Sequence, residues 1–305
     1  MYPLYLRTAS ALAVILILRG IAWSATLYVD AQSPTCDNTA GAPYCNLQAA
    51  INAAADGDTI LISSGTYTGE FTIAKSLAIQ GMGDVQLVGY FGRVLSVTPA
   101  GTLALSNVTV TRGSLDGNGG GILNAGTLTL IDSTVISNSC GTMSSSCGGG
   151  IHNSGRLMLD RCTISHNSVA PLFDAQGGGI YCTGSSILII SNSAVCYNIA
   201  NGGTSDHGHA GHAAGGGGIW SQGDVCLVNS TIAGNMASGG YALGYRGGDG
   251  LGGGVYSAGR LDIRHCTVAF NEAFTEAGLN DPPGLGRGGG ICSLSSSITM
   301  LNTVI

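Results

Sequence analysis

The chain of 305 residues has a formal net charge of −6, from 11 Lys and Arg against 17 Asp and Glu. This acidic balance argues against nucleic acid and anionic membrane surfaces as partners, because both are bound through basic surfaces. Only 9% of the residues are charged and 51 are glycine, a composition suited to tight turns and to close approach of backbone segments.

The first residues predict a secretory signal peptide over 1–25. Arg7 precedes an apolar run at 11–18, and small residues follow near Ala25. The run is too short to span a bilayer, so we expect no transmembrane helix after removal of this peptide. A buried N-terminal strand or helix is the alternative. Ten cysteines fit the oxidising compartment that secretion implies.

Two features are predicted to close the start of the folded part. Residues 26–45 form a lead-in, and Leu47 and Ile51 in 47–55 have the spacing of a short amphipathic helix. Such a helix would cover the first, otherwise unpaired, layer of a repeat structure. Two pairs of cysteines lie close in the sequence within loops and are predicted disulfides: Cys36 with Cys45, and Cys140 with Cys147.

A glycine run followed by Ile or Val recurs six times, at 119–122, 148–151, 177–180, 216–219, 252–255 and 288–291. Within each copy the apolar residues alternate with a period of two, as in Leu128 and Leu130, which indicates short strands. Repeats of this length without a crossover helix predict coils stacked about 4.8 Å apart in a parallel β-helix. We therefore expect a single all-β domain over 26–305, with regular coils from about 101.

Stacked coils should place equivalent residues directly above one another. One apolar column is predicted at Val135, Ile164, Val195, Ile232, Val268 and Val304. An asparagine ladder is predicted at Asn138, Asn167, Asn198, Asn235 and Asn271. Stacked amide side chains can hydrogen-bond to each other, and asparagine tolerates the backbone of a turn, so we assign these residues a structural role. The last copy stops at Ile305, in the middle of a coil, which indicates a fragment of a longer product or an exposed final coil.

The glycine phrase combined with [Ile/Val]-x-x-Asn resembles the repeats of polymorphic outer membrane proteins, although aliphatic residues replace their Phe. More broadly, residues 43–305 resemble secreted bacterial proteins of the pectin-lyase-like superfamily, with an opening similar to theirs at 45–51, 57–62 and 65–67. The resemblance implies a right-handed parallel β-helix that is secreted or lies on the cell surface, at the bacterial outer membrane or outside the cell. It implies no single activity, because the superfamily contains both enzymes and non-enzymes.

Three long loops, at 199–215, 236–251 and 272–287, occur at the same point of consecutive coils and should lie on one side of the molecule. They provide a candidate loop site: Asp206, His207, His209, His212, Arg246, Asp249 and Glu272. The three histidines could bind a transition metal. Because the glycine-rich spacing provides no preformed geometry, we expect neither a metal nor a cofactor.

An aromatic column is predicted on the outer face of the strands that follow the glycine runs. It contains Leu123 and His152, and then three candidates for stacking against sugar rings: Tyr181, Trp220 and Tyr256. The alternative is an aromatic ladder that only stabilises the stacked strands.

Two functional hypotheses follow. The first is a non-catalytic adhesin-like or carbohydrate-binding protein with a polysaccharide or cell-surface glycan as its partner, because the chain shows strict repetition without a unique catalytic motif. The second is a polysaccharide lyase or glycoside hydrolase that uses the loop carboxylates on the outer sheet face. The sequence singles out no catalytic residue.

Overall fold

The computed structural model describes residues 24–141, 146–205, 209–276, 283–295 and 297–305. Residues 1–23 of the predicted signal peptide, and Asp206 and His207 of the predicted loop site, lie outside the described residues. Among the described residues, no helix is long and apolar enough to cross a membrane.

The described residues form 35 short strands and one α-helix, wound into a parallel β-helix with four sheets along its length. Sheet A has 16 strands: Thr26–Val29, Thr59–Thr68, Ser76–Val88, Thr102–Ser106, Thr109–Thr111, Thr127–Ile131, Thr134–Ile136, Arg156–Asp160, Thr163–Ser165, Ile187–Ser191, Ala194–Cys196, Asp224–Val228, Thr231–Ala233, Leu261–Arg264, Thr267–Ala269 and Ile298–Leu301. From Thr102 to Ala269 each coil contributes two strands to this sheet, separated by a turn, and the last coil contributes one.

The other three sheets are narrower. Sheet B consists of Phe71–Ile73, Leu95–Val97, Ile122–Asn124, Ile151–Asn153, Ile180–Cys182, Ile219–Ser221, Val255–Ser257 and Ile291–Ser293. Sheet C consists of Ser114–Leu115, Ser139–Cys140, Ser168–Val169, Ile199–Asn201, Met236–Gly239 and Glu272–Thr275. Sheet D consists of Ser146–Cys147, Ala175–Gln176, Ala214–Gly215, Gly250–Leu251 and Gly286–Arg287. The all-β parallel β-helix with one short helix is therefore confirmed.

The period of two seen in the sequence produces the core. Leu128 and Leu130 are fully buried, whereas Thr129 between them is half-buried on the outer side. In-register pairing places each repeat above the next, so that Val135 pairs with Val110 and Ile164. Burial of one branched side chain per strand contributes about 1.5–3 kcal/mol, and the core repeats this contribution in every coil.

One member of the predicted apolar column is wrong. Val304 pairs with Thr267, not with Val268. Asn302 and His265 on the preceding coil both have a left-handed backbone, so they are equivalent turn residues. Val304 follows Asn302 by two residues, as Thr267 follows His265, and it therefore lies one position before the apolar column. Ile305 takes the column position instead. Its Cγ2 and the Cγ1 of Val268 both lie close to Gly290, at 3.2 and 3.3 Å from the point that a Cβ of this glycine would occupy.

Backbone conformation and close packing explain why each coil has three successive glycines. Gly177 adopts φ +65°, a left-handed conformation that glycine accepts without strain. A Cβ at Gly179 would lie 2.7 Å from the carbonyl oxygen of Gly218 on the next coil and 2.9 Å from the side chain of Asn198. The last glycine thus leaves room for the asparagine ladder.

The predicted asparagine ladder is present, and its first four members are buried while Asn271 is half-buried. Both the backbone N–H and the side-chain amide of Asn167 donate to Oδ1 of Asn198 at 3.0 Å. Asn198 repeats these two bonds to Asn235. Each ladder amide also donates to a backbone carbonyl inside the coil, as Asn198 does to Ile164 at 2.9 Å. The ladder therefore satisfies polar groups that the turn would otherwise bury unpaired.

The N-terminal helix spans Leu47–Ala53, slightly shorter than predicted, and Asn46 caps it by accepting from the N–H of Ala49. Leu47 and Ile51 are buried against the first coils. At its C-terminal end the ammonium group of Lys75 donates to three carbonyl oxygens, at distances of 2.5 to 3.3 Å. The helix therefore covers the start of the core, as expected.

Of the two predicted disulfides, the structure forms the one between Cys36 and Cys45. Cys140 and Cys147 are free thiols, so the second prediction is wrong. Cys140 is buried with Val169 in the small core between sheets C and D, and burial raises the pKa of its thiol to about 12. The thiol of Cys147 instead donates to Oδ1 of Asn118 at 3.1 Å.

Candidate functional site

The predicted aromatic column exists on the outer face of sheet B. Strand pairing places His152 beside Tyr181, Tyr181 beside Trp220, and Trp220 beside Tyr256. The preceding residue of each strand, such as Ile219, is fully buried, so the next side chain must lie on the other face. We call these four rings the sheet B row; it runs along the helix axis with one ring per coil.

The rings of the sheet B row stack face to face. Centroids are 5.0 Å apart between His152 and Tyr181, 4.6 Å between Tyr181 and Trp220, and 5.6 Å between Trp220 and Tyr256. The planes differ by only 6° to 19°. Each inner ring face is therefore occupied by its neighbour, and a ligand can meet these rings only at their edges. The observed stacking is what an aromatic ladder between strands predicts.

The edges of the row differ in exposure. Trp220 is only 7% exposed, and a Cβ at Gly215 would lie 3.0 Å from its Cδ1, so the glycine of sheet D makes room for the indole. Tyr181 and Tyr256 are half-buried. Burial raises the pKa of the Tyr181 hydroxyl to about 12 and also raises the pKa of Tyr256. Both hydroxyls are therefore neutral hydrogen-bond donors at physiological pH.

His152 begins the row and is kept neutral. It is 9% exposed, and within the described part of the chain its Nδ1 is buried without a hydrogen-bond partner. Burial lowers the pKa of His152 to about 4, with the positive charge of Arg93 as the next cause. Protonation would place a charge beside an existing guanidinium in a site with little water.

Arg93 is a member of this neighbourhood that the sequence did not predict. Its guanidinium donates to the carbonyl oxygens of Gly119 at 3.1 Å and Asn118 at 2.8 Å, and it lies 3.4 Å from the carboxylate of Glu70. Arg93 precedes the first glycine run, at 119–122, so it belongs to no copy of the repeat from which a role could be predicted.

The loop residues form pairs and not one cluster. Nδ1 of His212 lies 3.5 Å from Oδ1 of Asp174, and the ring of Phe173 meets the imidazole edge-on at 5.2 Å. The same Asp174 oxygen accepts from the N–H of Ala213 at 2.9 Å. The carboxylate therefore lies at the Nδ1 edge of the imidazole, whose ring is partly open to solvent.

The partner of His212 was missed because it comes from a shorter loop one coil earlier. The register of sheet D aligns Ala175, Ala214 and Gly250, which places Asp174 and Asp249 in one column two coils apart. Aligning the residues that precede the strands of sheet D would have identified Asp174 as equivalent to Asp249.

The remaining predicted loop residues diverge. Arg246 pairs with Asp249, whose Oδ1 also accepts from the N–H of Leu285 at 2.7 Å. His209 is exposed, and Glu272 lies on a strand of sheet C, exposed and opposite Met236. Within the described residues, no group of three or more His, Cys, Asp or Glu side chains is placed to hold a metal.

Other basic side chains are also paired with local acids. Arg161 makes two bonds to Asp132 on the preceding coil, at 2.7 and 2.9 Å. Arg264 makes two bonds to Asp262 on its own strand, at 2.9 and 2.7 Å. In both pairs a local carboxylate occupies the guanidinium group; the Arg161 pair is exposed, whereas Asp262 is buried.

No protein-family model matches this chain, and no curated protein matches it. Among solved structures it is similar to a PL6 family alginate lyase, with a TM-score of 0.44 and 12% identity over 93% of this chain. This chain spans only 40% of the length of that lyase. Pectate lyase Pel9A gives a TM-score of 0.41 and 18% identity over 94% of this chain and 80% of its own. The pectin methylesterase PemA from Erwinia chrysanthemi gives 0.40 and 10% over 90% and 94%. With TM-scores this low, the similarities carry no weight for the activity of this chain.

Proposed function

We propose that this chain is a non-catalytic polysaccharide-binding β-helix protein that acts at the cell surface or outside the cell. The observation that carries this proposal is the sheet B row, which repeats one aromatic ring per coil along the helix axis. A row of equivalent positions suits a polymer whose units also repeat. The contact is made by ring edges, because the faces are closed by stacking.

The polar groups of the row provide the hydrogen bonds of such a contact. The hydroxyls of Tyr181 and Tyr256 stay protonated at physiological pH, and both residues are half-buried. Sugars offer many hydroxyl groups that donate and accept, so neutral phenolic hydroxyls on a rigid scaffold are suitable partners. The stacked rings need no rearrangement on binding, which lowers the entropic cost of recognition.

Affinity gel electrophoresis of the full chain tests this proposal, with polygalacturonate, alginate or a neutral β-glucan in the gel. We expect at least one polysaccharide to retard migration, and the double variant Tyr181→Phe/Tyr256→Phe to bind it about tenfold more weakly, since two hydrogen bonds are lost and the stack is kept. Tyr28→Phe is the matched control, because it removes an exposed hydroxyl on the first strand. Unretarded migration with every polysaccharide would refute the proposal.

One observation favours an alternative, a polysaccharide lyase or hydrolase. His212 is oriented by Asp174 and is partly exposed, as a general base would be. Incubation with the same polysaccharides, followed by measurement of reducing ends and unsaturated products, separates the two functions. Product formation that disappears in His212→Asn would establish the enzyme; we expect no product from either protein.

A further inference from the structure

We propose that two copies of this chain associate through the outer face of sheet A, around an apolar patch on three consecutive coils. We call it the sheet A patch, and it consists of Met158, Ile187, Ile189 and Cys226. The inference does not depend on the proposed function, because the aromatic rings of the sheet B row lie on a different sheet.

The sheet A patch is continuous, because strand pairing places its members side by side. Ile189 pairs with Met158 on the preceding coil and with Cys226 on the following coil. Leu188, between Ile187 and Ile189, is fully buried, so both isoleucines point outward. Ile187 is 38% exposed, and the other three members are half-buried. Four apolar side chains therefore form one outward surface.

The apolar character is confined to these coils. Before the patch, the positions equivalent to Ile189 carry small residues: Ala78, Ala104 and Thr129. After the patch, the same position carries the buried Asp262. The repeat therefore does not require apolar residues on this outer face. An apolar centre with charged residues around it has the composition of an interface.

The charges beside the patch have no partner in their own chain. Arg156 and Asp224 flank Ile187 in the strand register, one on each neighbouring coil. Within the described part of the chain neither forms an ion pair, whereas Arg161 and Arg264 nearby do. Two coils separate Arg156 from Asp224, or about 10 Å at the usual strand spacing, which is too far for a direct bond. Both charges are therefore available to a partner.

A second copy fits this pattern when the two-fold axis lies along the strand that contains Ile189. Such an axis reverses the order of the coils and keeps the position along the strand. Ile189 then meets Ile189 of the other copy, and Met158 meets Cys226 of the other copy. Arg156 meets Asp224 of the other copy, and by symmetry this ion pair forms twice. Apolar residues thus face apolar residues, and opposite charges face each other.

Other two-fold axes fit the charges less well. An axis along the strand of Arg156, or along that of Asp224, would place the respective charge opposite itself. An axis along the β-helix would place Arg260 opposite Arg264 of the other copy, since these residues lie four positions apart on one coil. Like charges repel in both cases. The axis along the strand of Ile189 instead places Arg260 opposite the neutral Thr127.

The area of the contact sets its strength. About five strands at a spacing of about 4.8 Å, each with about five residues at about 3.3 Å, give a footprint of about 400 Å² per copy. A standard stable complex buries about 800 Å² per partner. We therefore expect a reversible dimer with a dissociation constant in the micromolar range. The strands of the two copies run in the same direction, as in aligned packing of sheets.

Sedimentation equilibrium of the full chain, over about a hundredfold range of concentration, tests the inference. We expect the parent chain to show a monomer–dimer equilibrium. Arg156→Glu and Asp224→Lys should each weaken the dimer about tenfold or more, because each places like charges opposite each other twice. The double variant reverses both charges and should restore the dimer to within about threefold of the parent. Arg260→Glu is the matched control, since this exposed arginine faces Thr127 of the other copy, and it should not weaken the dimer.

The apolar contact is tested by Ile189→Asp. Ile199→Asp is its matched control, because Ile199 is also a half-buried strand isoleucine but belongs to sheet C. We expect Ile189→Asp to be monomeric at every concentration and Ile199→Asp to dimerise as the parent does. Thermal melting shows whether each variant is folded. The charge reversals decide the question independently if an aspartate variant melts early, since they change exposed or half-buried charged residues.

A parent chain that is monomeric at every concentration would overturn the inference and leave the proposed function standing. Failure of the double charge reversal to restore the dimer would overturn it too, as would assemblies that grow beyond a dimer, which indicate a heterologous contact. A dimer that persists in denaturing, non-reducing electrophoresis would be a disulfide product and equally contradictory.

The polysaccharide gels separate this inference from the proposed function. A monomeric parent chain whose retardation disappears in Ile189→Asp would assign the sheet A patch to the polysaccharide, against the dimer. A reversible dimer that no polysaccharide retards would support the inference while removing the proposed function.

Discussion

The buried His152 makes a sharp prediction about stability and pH. Its pKa in the folded chain is lowered to about 4, mainly by burial and then by the charge of Arg93, against an ordinary value of 6.5. Between these two values the unfolded chain binds a proton that the folded chain excludes. The stability provided by the neutral imidazole is therefore complete above pH 6.5 and is lost as the pH falls towards 4.

The size of the effect follows from the two pKa values. At about 1.4 kcal/mol for each pH unit between them, the full loss is about 3 kcal/mol, of which about 2.5 kcal/mol is reached on going from about pH 7.5 to about pH 4.5. In His152→Phe this contribution disappears. The variant also removes the buried Nδ1 that lacks a partner within the described residues, and it keeps a ring against Tyr181.

Urea unfolding followed by the fluorescence of Trp220, which belongs to the same row, measures the difference. We expect the parent chain to lose about 2.5 kcal/mol more than His152→Phe over that pH interval. His265→Asn is the control, because this exposed histidine has φ +54° and asparagine suits that backbone, so the pH dependence should persist. Equal pH dependence in the parent and His152→Phe would refute the burial argument.

Three further predictions concern the ladder, the turn and the thiols. Asn198→Ala should lower the free energy of unfolding by about 3 kcal/mol, because it leaves the buried backbone N–H of Asn167, the preceding ladder residue, without its acceptor. The exposed Asn192→Gly, with φ +51°, should change it by less than about 1 kcal/mol. Gly234→Ala should cost about 1–2 kcal/mol in a urea titration because of its φ of +64°, and an unchanged midpoint would contradict this. Alkylation of the denatured, unreduced chain should label Cys140 and Cys147 in mass spectrometry, and unlabelled peptides would contradict the free thiols.

Much of the architecture could be predicted from the sequence because the repeat carries it. When parallel strands pair in register, equivalent residues of successive copies must lie above one another, so Leu128, Asn138 and Tyr181 could be assigned to columns without coordinates. The same logic fails where a copy is incomplete: the turn at Asn302 aligns with His265 and moves Val304 out of the predicted column.

The loops escaped prediction because their lengths differ from coil to coil. His212 meets Asp174 from the preceding coil, while Arg246 meets Asp249 in its own loop, and no repeat period connects these partners. Cys140 and Cys147 are close in the sequence, but one thiol enters a buried core and the other donates to Asn118. Distance along the chain does not determine the direction of a side chain.

The sequence by itself determined that this chain is a solenoid with an aromatic residue on successive coils, because repetition specifies which residues become neighbours. Only the tertiary structure decided how neighbouring rings are oriented. In the sheet B row each ring covers the next with nearly parallel planes, as Tyr181 covers Trp220 at 6°, whereas at the left-handed turn residue Tyr197 the ring is tilted by 32° against His166. The difference arises from the backbone conformation at the turn, which sets ring direction and is not contained in the spacing of the repeat.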